Sequence, residues 1–142
     1  MQKAVYEVLN EFKKAENKAD RIAVLRNNDQ RHMREYLTCL LHDGVQFEDV
    51  GNIEWRKEDT PAGMGYNMFA QEMGRLYLFI KNHPKCPTGL TRERRIELLI
   101  QLLEGMEDGE AEAFMNMVKK HNDIPYLTKN LVNEAYEGIN IL

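Results

Sequence analysis

The sequence predicts an all-α fold, a single-domain bundle of about seven helices with one long irregular acidic loop. Three observations carry that expectation. Apolar residues recur at the spacing of a helix face in nearly every segment, and no segment alternates like a half-buried strand. Residues suited to starting helices (Asp29, Asn67, Thr91, Asp108, Thr128) and ending them (Gly44, Gly105, Gly138) divide the chain into short lengths. The 142 residues suit one hydrophobic core, so residues 1–142 read as one domain.

Lys3 to about Ala15 reads as the first helix, with Ala4, Val5, Val8, Leu9 and Phe12 on one face and lysines and glutamates on the other. A short second helix follows from about Lys18, its buried side marked by Ile22 and Leu25, until N-N-D-Q breaks it. Asp29 is then the expected cap of a third helix with Met33, Tyr36, Leu37, Leu40 and Leu41 facing inward, and Gly44 its stop.

Val45 to about Tyr66 has no clean period and holds Gly51, Pro61, Gly63 and Gly65. Asp43, Glu48, Asp49, Glu54, Glu58 and Asp59 outweigh Arg56 and Lys57 there. A structureless loop of this length is uncommon inside a small domain, so Phe47, Val50, Ile53 and Trp55 are expected to fasten it to the body. Trp55 reads as such an anchor or, more sharply, as part of a binding surface.

Asn67 is the expected cap of a helix carrying Met68, Phe69, Met73, Leu76, Tyr77 and Ile80 inward, followed by the turn-rich N-H-P-K-C-P-T-G. Thr91 to Lys120 reads as a helical hairpin around which the other helices are arranged. Ile96, Leu99, Ile100 and Leu103 stripe its first arm, and Ala111, Phe114, Met115 and Val118 its second. Gly105 is expected to end the first arm through a positive φ, and Asp108 to cap the second. H-N-D-I-P-Y is a bend. Thr128 then caps a last helix with Leu131, Val132, Ala135 and Tyr136 inward, Gly138 ends it, and I-N-I-L tucks against the body.

The balance of 43% hydrophobic and 30% charged residues is that of a globular chain rather than a disordered one. A net charge of −4 argues against broad affinity for nucleic acid but allows a local basic face. The N-terminal helix holds acids, unlike a signal peptide, and no apolar run has the length of a membrane span. Cys39, in an apolar helical run, reads as a small buried hydrophobe, and two cysteines fit a reducing setting better than a disulfide.

No cofactor and no small-molecule substrate is expected. His83 and Cys86 have a spacing that two metal ligands share, but no second pair accompanies them. His121 beside Asp123 reads as a polar loop residue rather than an oriented base, and His32 and His42 as solvated helix-end residues. Nucleotide-binding glycine loops and hydrolase or metalloprotease motifs are lacking. The methionines Met64, Met68, Met73, Met106, Met115 and Met117 read as core filling, with an adaptable partner groove as the alternative. Charge is unevenly placed. Arg92, Arg94 and Arg95 crowd a helix start, where the dipole disfavours them, and Arg21, Arg26, Arg31 and Arg34 form a second basic group. Glu104, Glu107, Asp108, Glu110 and Glu112 crowd the hairpin turn. Such polarity either steers a partner or is a set of solvated faces.

Two stretches resemble a known family. Val8 to Leu37, V-L-N-E-F-K-K-A-E-N-K-A-D-R-I-A-V-L-R-N-N-D-Q-R-H-M-R-E-Y-L, is similar to the opening of the N-terminal helical domain of T-even-type phage DNA ligases. Leu76 to Gly138 resembles that domain's later helices, hairpin, bend and final helix. The chain also resembles a small family of uncharacterised proteins of T-even-like phages through L-Y-L-F-I-K, L-L-I-Q-L-L-E-G and L-T-K-N-L-V-N-E-A-Y-E-G-I.

In those ligases the domain holds duplex DNA by its backbone while another domain does the chemistry. The chain lacks the K-x-D-G adenylation motif, so the resemblance implies a stand-alone, non-enzymatic phage accessory protein in the host cytoplasm, contacting duplex DNA or a DNA-replication protein. Lys119, Lys120 and Lys129, with Arg92, Arg94 and Arg95, are the expected phosphate contacts. The ligase bend contains glycine, whereas Asp123 here repels phosphate and Pro125 lacks an amide proton. The alternative is a protein-interaction module that has lost DNA binding, such as a host-takeover or anti-defence inhibitor or a virion component. It would use Trp55 with Glu48, Asp49, Glu54, Glu58 and Asp59.

Overall fold

A computed structural model describes residues 2–56 and 67–142. Glu58, Asp59, Lys57 and Met64, and the loop's expected end at Tyr66, lie outside the described residues. Seven α-helices form among them: α1 Val5–Lys14, α2 Lys18–Asn27, α3 Arg31–Leu41, α4 Phe69–Glu72, α5 Arg92–Glu104, α6 Asp108–Val118 and α7 Lys129–Ala135. No strand forms among the described residues. Two isolated β-bridges do, Phe47 with Ile80 and Asn67 with Met106. The all-α expectation holds.

Side-chain caps set three helix starts. Thr91 Oγ1 accepts from the Arg94 amide at 3.1 Å, Thr128 Oγ1 from Leu131 at 3.2 Å and Asn17 Oδ1 from Asp20 at 2.9 Å, each satisfying an amide that has no acceptor within its helix. Asp29 does not cap α3; the residue before that helix is Gln30. The carboxylate is taken instead by Arg34, with Nε at 2.6 Å and Nη2 at 2.8 Å, because a two-pronged charged pair outcompetes a single amide. Asp108 is the first residue of α6 rather than its cap, a position held by Glu107. Asn67 does not cap α4 either: its amide donates to the Gly105 carbonyl at 2.7 Å, and Gln71 accepts from the Met68 amide at 2.8 Å.

The expected helix from Asn67 to Ile80 is broken. One α-turn gives way to a 3₁₀ segment, Met73–Leu78. Gly74 weakens helical continuation there. The Phe79 carbonyl is then taken by the Glu48 amide at 2.8 Å and the Lys81 amide donates to Gln46 at 2.7 Å, so pairing with the loop replaces the next helical turn. Gly105 ends α5 with an ordinary φ of −85°, not the positive one expected. Gly138 takes the left-handed conformation, φ 80°, but does not end the last helix as expected: α7 stops at Ala135 with Tyr136 after it.

The helix at the centre is α6, packed on α1, α3 and α5, while α7 packs on α2. The hairpin of α5 and α6 therefore organises the fold through its second arm. Phe114 of α6 meets Phe69 and Phe79, and Phe69 meets Tyr36 edge-on at 5.4 Å. Met33, Met106, Met115 and Met117 are buried in the same core, which supports core filling over a partner groove. His32 is buried too, its Nε2 3.0 Å from the Lys3 carbonyl. The solvated histidine expected at that position is corrected, because the chain entering α1 lies over it.

Glu110 joins three of these pieces. Its carboxylate is 2% exposed and accepts from the Tyr6 amide of α1 and the Phe69 amide of α4, each at 3.1 Å. Both amides lie in first turns, where a negative charge also suits the helix dipole. One residue earlier, Gly109 allows the Tyr6 ring to lie on the α6 backbone, since an added Cβ would sit 2.6 Å from that ring. The Tyr6 hydroxyl donates to Glu107.

Replacing Gly109 by alanine is expected to cost about 1–3 kcal/mol of stability through overpacking, read from urea unfolding. An unchanged midpoint would show that the Tyr6 ring is free to move aside. Glu110→Ala is expected to cost about 2–4 kcal/mol, since it strands two buried amides. Burial holds the Glu110 carboxyl above its ordinary value of 4.5, against the backbone amides that pull it down. The native state therefore binds this proton more tightly than the unfolded chain, and the associated stability is present below pH 4.5 and lost as pH rises through the elevated value. The wild type is therefore expected to lose stability relative to E110Q from acid to neutral pH.

Candidate functional site

The six cations expected to meet phosphate divide into two groups by what they already hold. Lys120 follows α6 with φ 51°, and its Nζ donates to the carbonyls of Cys39 and His42 at 2.8 and 2.7 Å. It closes the carbonyl end of α3, where orphan acceptors and the dipole both attract a cation; burial lowers its pKa. Arg95 Nε donates to the Leu78 carbonyl at 2.9 Å and Nη2 lies 3.8 Å from Cys86 Sγ. Arg92 Nε reaches the Asp49 carbonyl at 3.2 Å. These three act as ties within the chain.

Among the described residues, Lys119, Lys129 and Arg94 hold only exposed partners. Lys129 pairs with Asp43 at 2.8 Å, Arg94 with Glu97 at 2.9 Å, and Lys119 reaches Asn52 at 3.5 Å. Exposed pairs contribute little and exchange readily. Arg26 and Arg34 of the second basic group close the end of α7 through the carbonyls of Glu134, Ala135 and Glu137.

The acidic loop is strapped across the same side. Phe47 and Val50 are buried, and Ile53 and Trp55 pack half-buried on the core, as the anchoring expectation has it. Arg92 holds the strap beside the start of α5, and the Arg56 amide reaches Glu104 at its end at 3.0 Å. Asp49 and Glu54 point to solvent while Glu48 is half-buried. The strap thus brings the expected partner surface alongside Arg92 and Lys119 of the expected DNA surface, a juxtaposition invisible in sequence order.

A cleft of about 250 Å³ opens between α1, α6 and the bend at 121–124. Asn10, Lys13, Asn116, His121 and Asp123 border it, with Tyr6 and Tyr36 in its walls. Tyr36 is committed to the Ala113 carbonyl at 2.7 Å, and burial raises its pKa. Asn122 holds the bend by bonding Leu127 and Ile124.

His83 Nδ1 accepts from the Lys85 amide at 3.1 Å, so the ring shapes its own turn. Both thiols are free. Cys39 is buried, and desolvation pushes it up to about 12, where a thiol is inert. Among the described residues no His, Cys, Asp and Glu group is placed to hold a metal ion, and no helix is long and apolar enough to cross a membrane. Residue patterns did not single out Tyr126 or Lys13. The Pro125–Tyr126 pair signals a turn, but proline at the second position fits both type I and type II turns, so the positive φ at Tyr126 was not legible from it.

A family model described as a family of unknown function (DUF6433) matches residues 8–123. Neither a curated protein nor a solved structure matches the chain.

Lys120→Ala is expected to destabilise the fold by about 1–3 kcal/mol by stranding the α3 carbonyls, whereas Lys119→Ala leaves the unfolding free energy, measured in urea, within about 0.5 kcal/mol of the wild type. Equal effects would mean that the two lysines are interchangeable surface charges.

Proposed function

The chain belongs to DUF6433, a family of unknown function, and we propose that it is a non-enzymatic phage accessory protein of the host cytoplasm, contacting duplex DNA or a DNA-replication protein. The observation that supports this reading is the group of exchangeable cations, Lys119, Lys129 and Arg94, whose exposed pairings leave them open to a phosphate backbone. Lys120 and Arg95 drop out of the contact set because backbone carbonyls hold them. Resemblance to the ligase domain supplies the rest: a helical body that grips the duplex backbone while chemistry happens elsewhere.

The second reading, a protein-interaction module, is favoured by the same ties. Asp123 is exposed in the bend, and exposed Asp49 and Glu54 flank the half-buried Trp55 on a strap held to the body. Such a surface suits a basic partner protein.

Fluorescence anisotropy with intact and nicked duplexes, at low and near-physiological salt, separates the two readings. Duplex binding is expected to weaken for all sequences alike in K119E and K129E, each variant reducing the salt slope by about one. No binding at low salt would sink the DNA reading, and a partner retained from infected cells after nuclease treatment would then carry the second.

A further inference from the structure

We propose that Tyr126, backed by Arg21 and rimmed by Lys13 and Lys18, is a stacking platform for an unpaired base of single-stranded nucleic acid. The platform uses none of Lys119, Lys129 and Arg94, although Thr128 and Asn130, which flank Lys129, line one of its hollows. It shares with that reading only the ligand class, and rests on it to that extent.

The backbone makes the first argument. The Leu127 amide donates to the Ile124 carbonyl at 3.3 Å across Pro125–Tyr126, and Tyr126 has φ 68°. This is the pattern of a type II turn, whose third position favours glycine or asparagine. The other non-glycine residues with positive φ among those described are Asn82, Asn140 and Lys120. Asparagine tolerates that conformation, and Lys120 is held there by two carbonyls. Tyr126 is neither an asparagine nor bound to carbonyls by its side chain; Asn122 holds the two ends of its turn, which fixes the backbone but does not call for an aromatic there. It is 64% exposed and shares with Leu142 the distinction of being a large hydrophobic side chain left in water among the described residues. Strain at an exposed aromatic, unexplained by packing, points to use by a ligand.

Chemistry around the ring identifies the ligand. The Arg21 guanidinium lies over the ring at 3.9 Å from its centroid, which holds the ring and charges its surroundings. A hollow of about 300 Å³ on one side is lined by Phe12, Pro125 and Tyr126 with Lys13 and Arg21. A second of about 250 Å³ shares Arg21 and Tyr126 and adds Lys18, Thr128 and Asn130. Among the described residues, Lys18 is held by an exposed pairing with Glu134 at 3.0 Å. Flat apolar surface beside separated cations matches a base followed by its phosphates. Lys13 also borders the cleft between α1 and α6, but Glu112 and Asp123 line that cleft too, so the strand's phosphates are expected to stay on the Lys13 and Lys18 rims of the ring. An acidic peptide would satisfy the cations but would leave the ring and its strained turn without purpose.

The test is anisotropy of labelled oligo-dT, an abasic strand of equal length and a duplex, against the wild type, Tyr126→Gly and K119E. Glycine relieves the turn, so Y126G is expected to keep or raise the thermal midpoint while weakening oligo-dT binding about tenfold or more. The abasic strand is expected to bind the wild type about as weakly as oligo-dT binds Y126G, and K119E to bind oligo-dT normally. Duplex binding without oligo-dT binding overturns the platform and leaves the duplex reading standing. Oligo-dT binding unchanged in Y126G, or equal affinity for the abasic strand, overturns the platform alone. A lowered midpoint in Y126G marks the ring as structural and also overturns it. Failure of every nucleic acid removes both.

Discussion

A single buried carboxylate sets the arrangement of the helices. Glu110 lies inside α6, yet its two oxygens serve the first turns of α1 and α4, segments far from it in the chain. A charge in that position must be matched on each oxygen, since burying it unpaired is costly. The geometry is therefore narrow. Moving α1 or α4 away from α6 would strand both an amide and a charge, and the Tyr6 ring on Gly109 with its hydroxyl on Glu107 adds further contacts between α1 and the start of α6. Around this node the Tyr36, Phe69, Phe79 and Phe114 rings close the core.

The opposite ends of the helices are treated in a complementary way. Lys120 closes α3, Arg26 and Arg34 close α7, and Arg95 closes the 3₁₀ segment. Each is a long basic side chain from elsewhere in the chain brought to orphan carbonyls. Much of the basic charge that looks available in the sequence is therefore occupied in holding the fold. Lys119, Lys129 and Arg94 keep only exposed pairings, and Lys13, Lys18 and Arg21 line the hollows beside Tyr126.

Several elements were legible because their information is local. Thr91 and Thr128 cap their helices, and the stripes of α1, α3, α6 and α7 fall on the expected faces, since a 3.6-residue period shows wherever one side is buried. The loop anchors Phe47, Val50, Ile53 and Trp55 were also readable, because apolar residues in an acidic stretch have little else to do. Asp29, Asn67 and Asp108 misled because each is a competent cap that lost to something composition does not rank: Arg34 takes Asp29, the Gly105 carbonyl holds the Asn67 amide, and Glu107 occupies the position before α6. Of the candidate surfaces, the exposed lysines could be named but not separated from Lys120, whose neighbours in space are the carbonyls of α3.

The sequence by itself determined the helical class, the approximate lengths of most helices and the identity of most core residues, because periodicity and capping act over a few residues. Only the tertiary structure decided which charges are spent internally, that Asn67 to Ile80 winds as a short α-turn and a 3₁₀ segment, and that Tyr126 stands strained beside Arg21 and Lys13. These depend on carbonyl ends, loop edges and rings brought together across the chain, and a partner's distance in space is not written in its distance along the sequence.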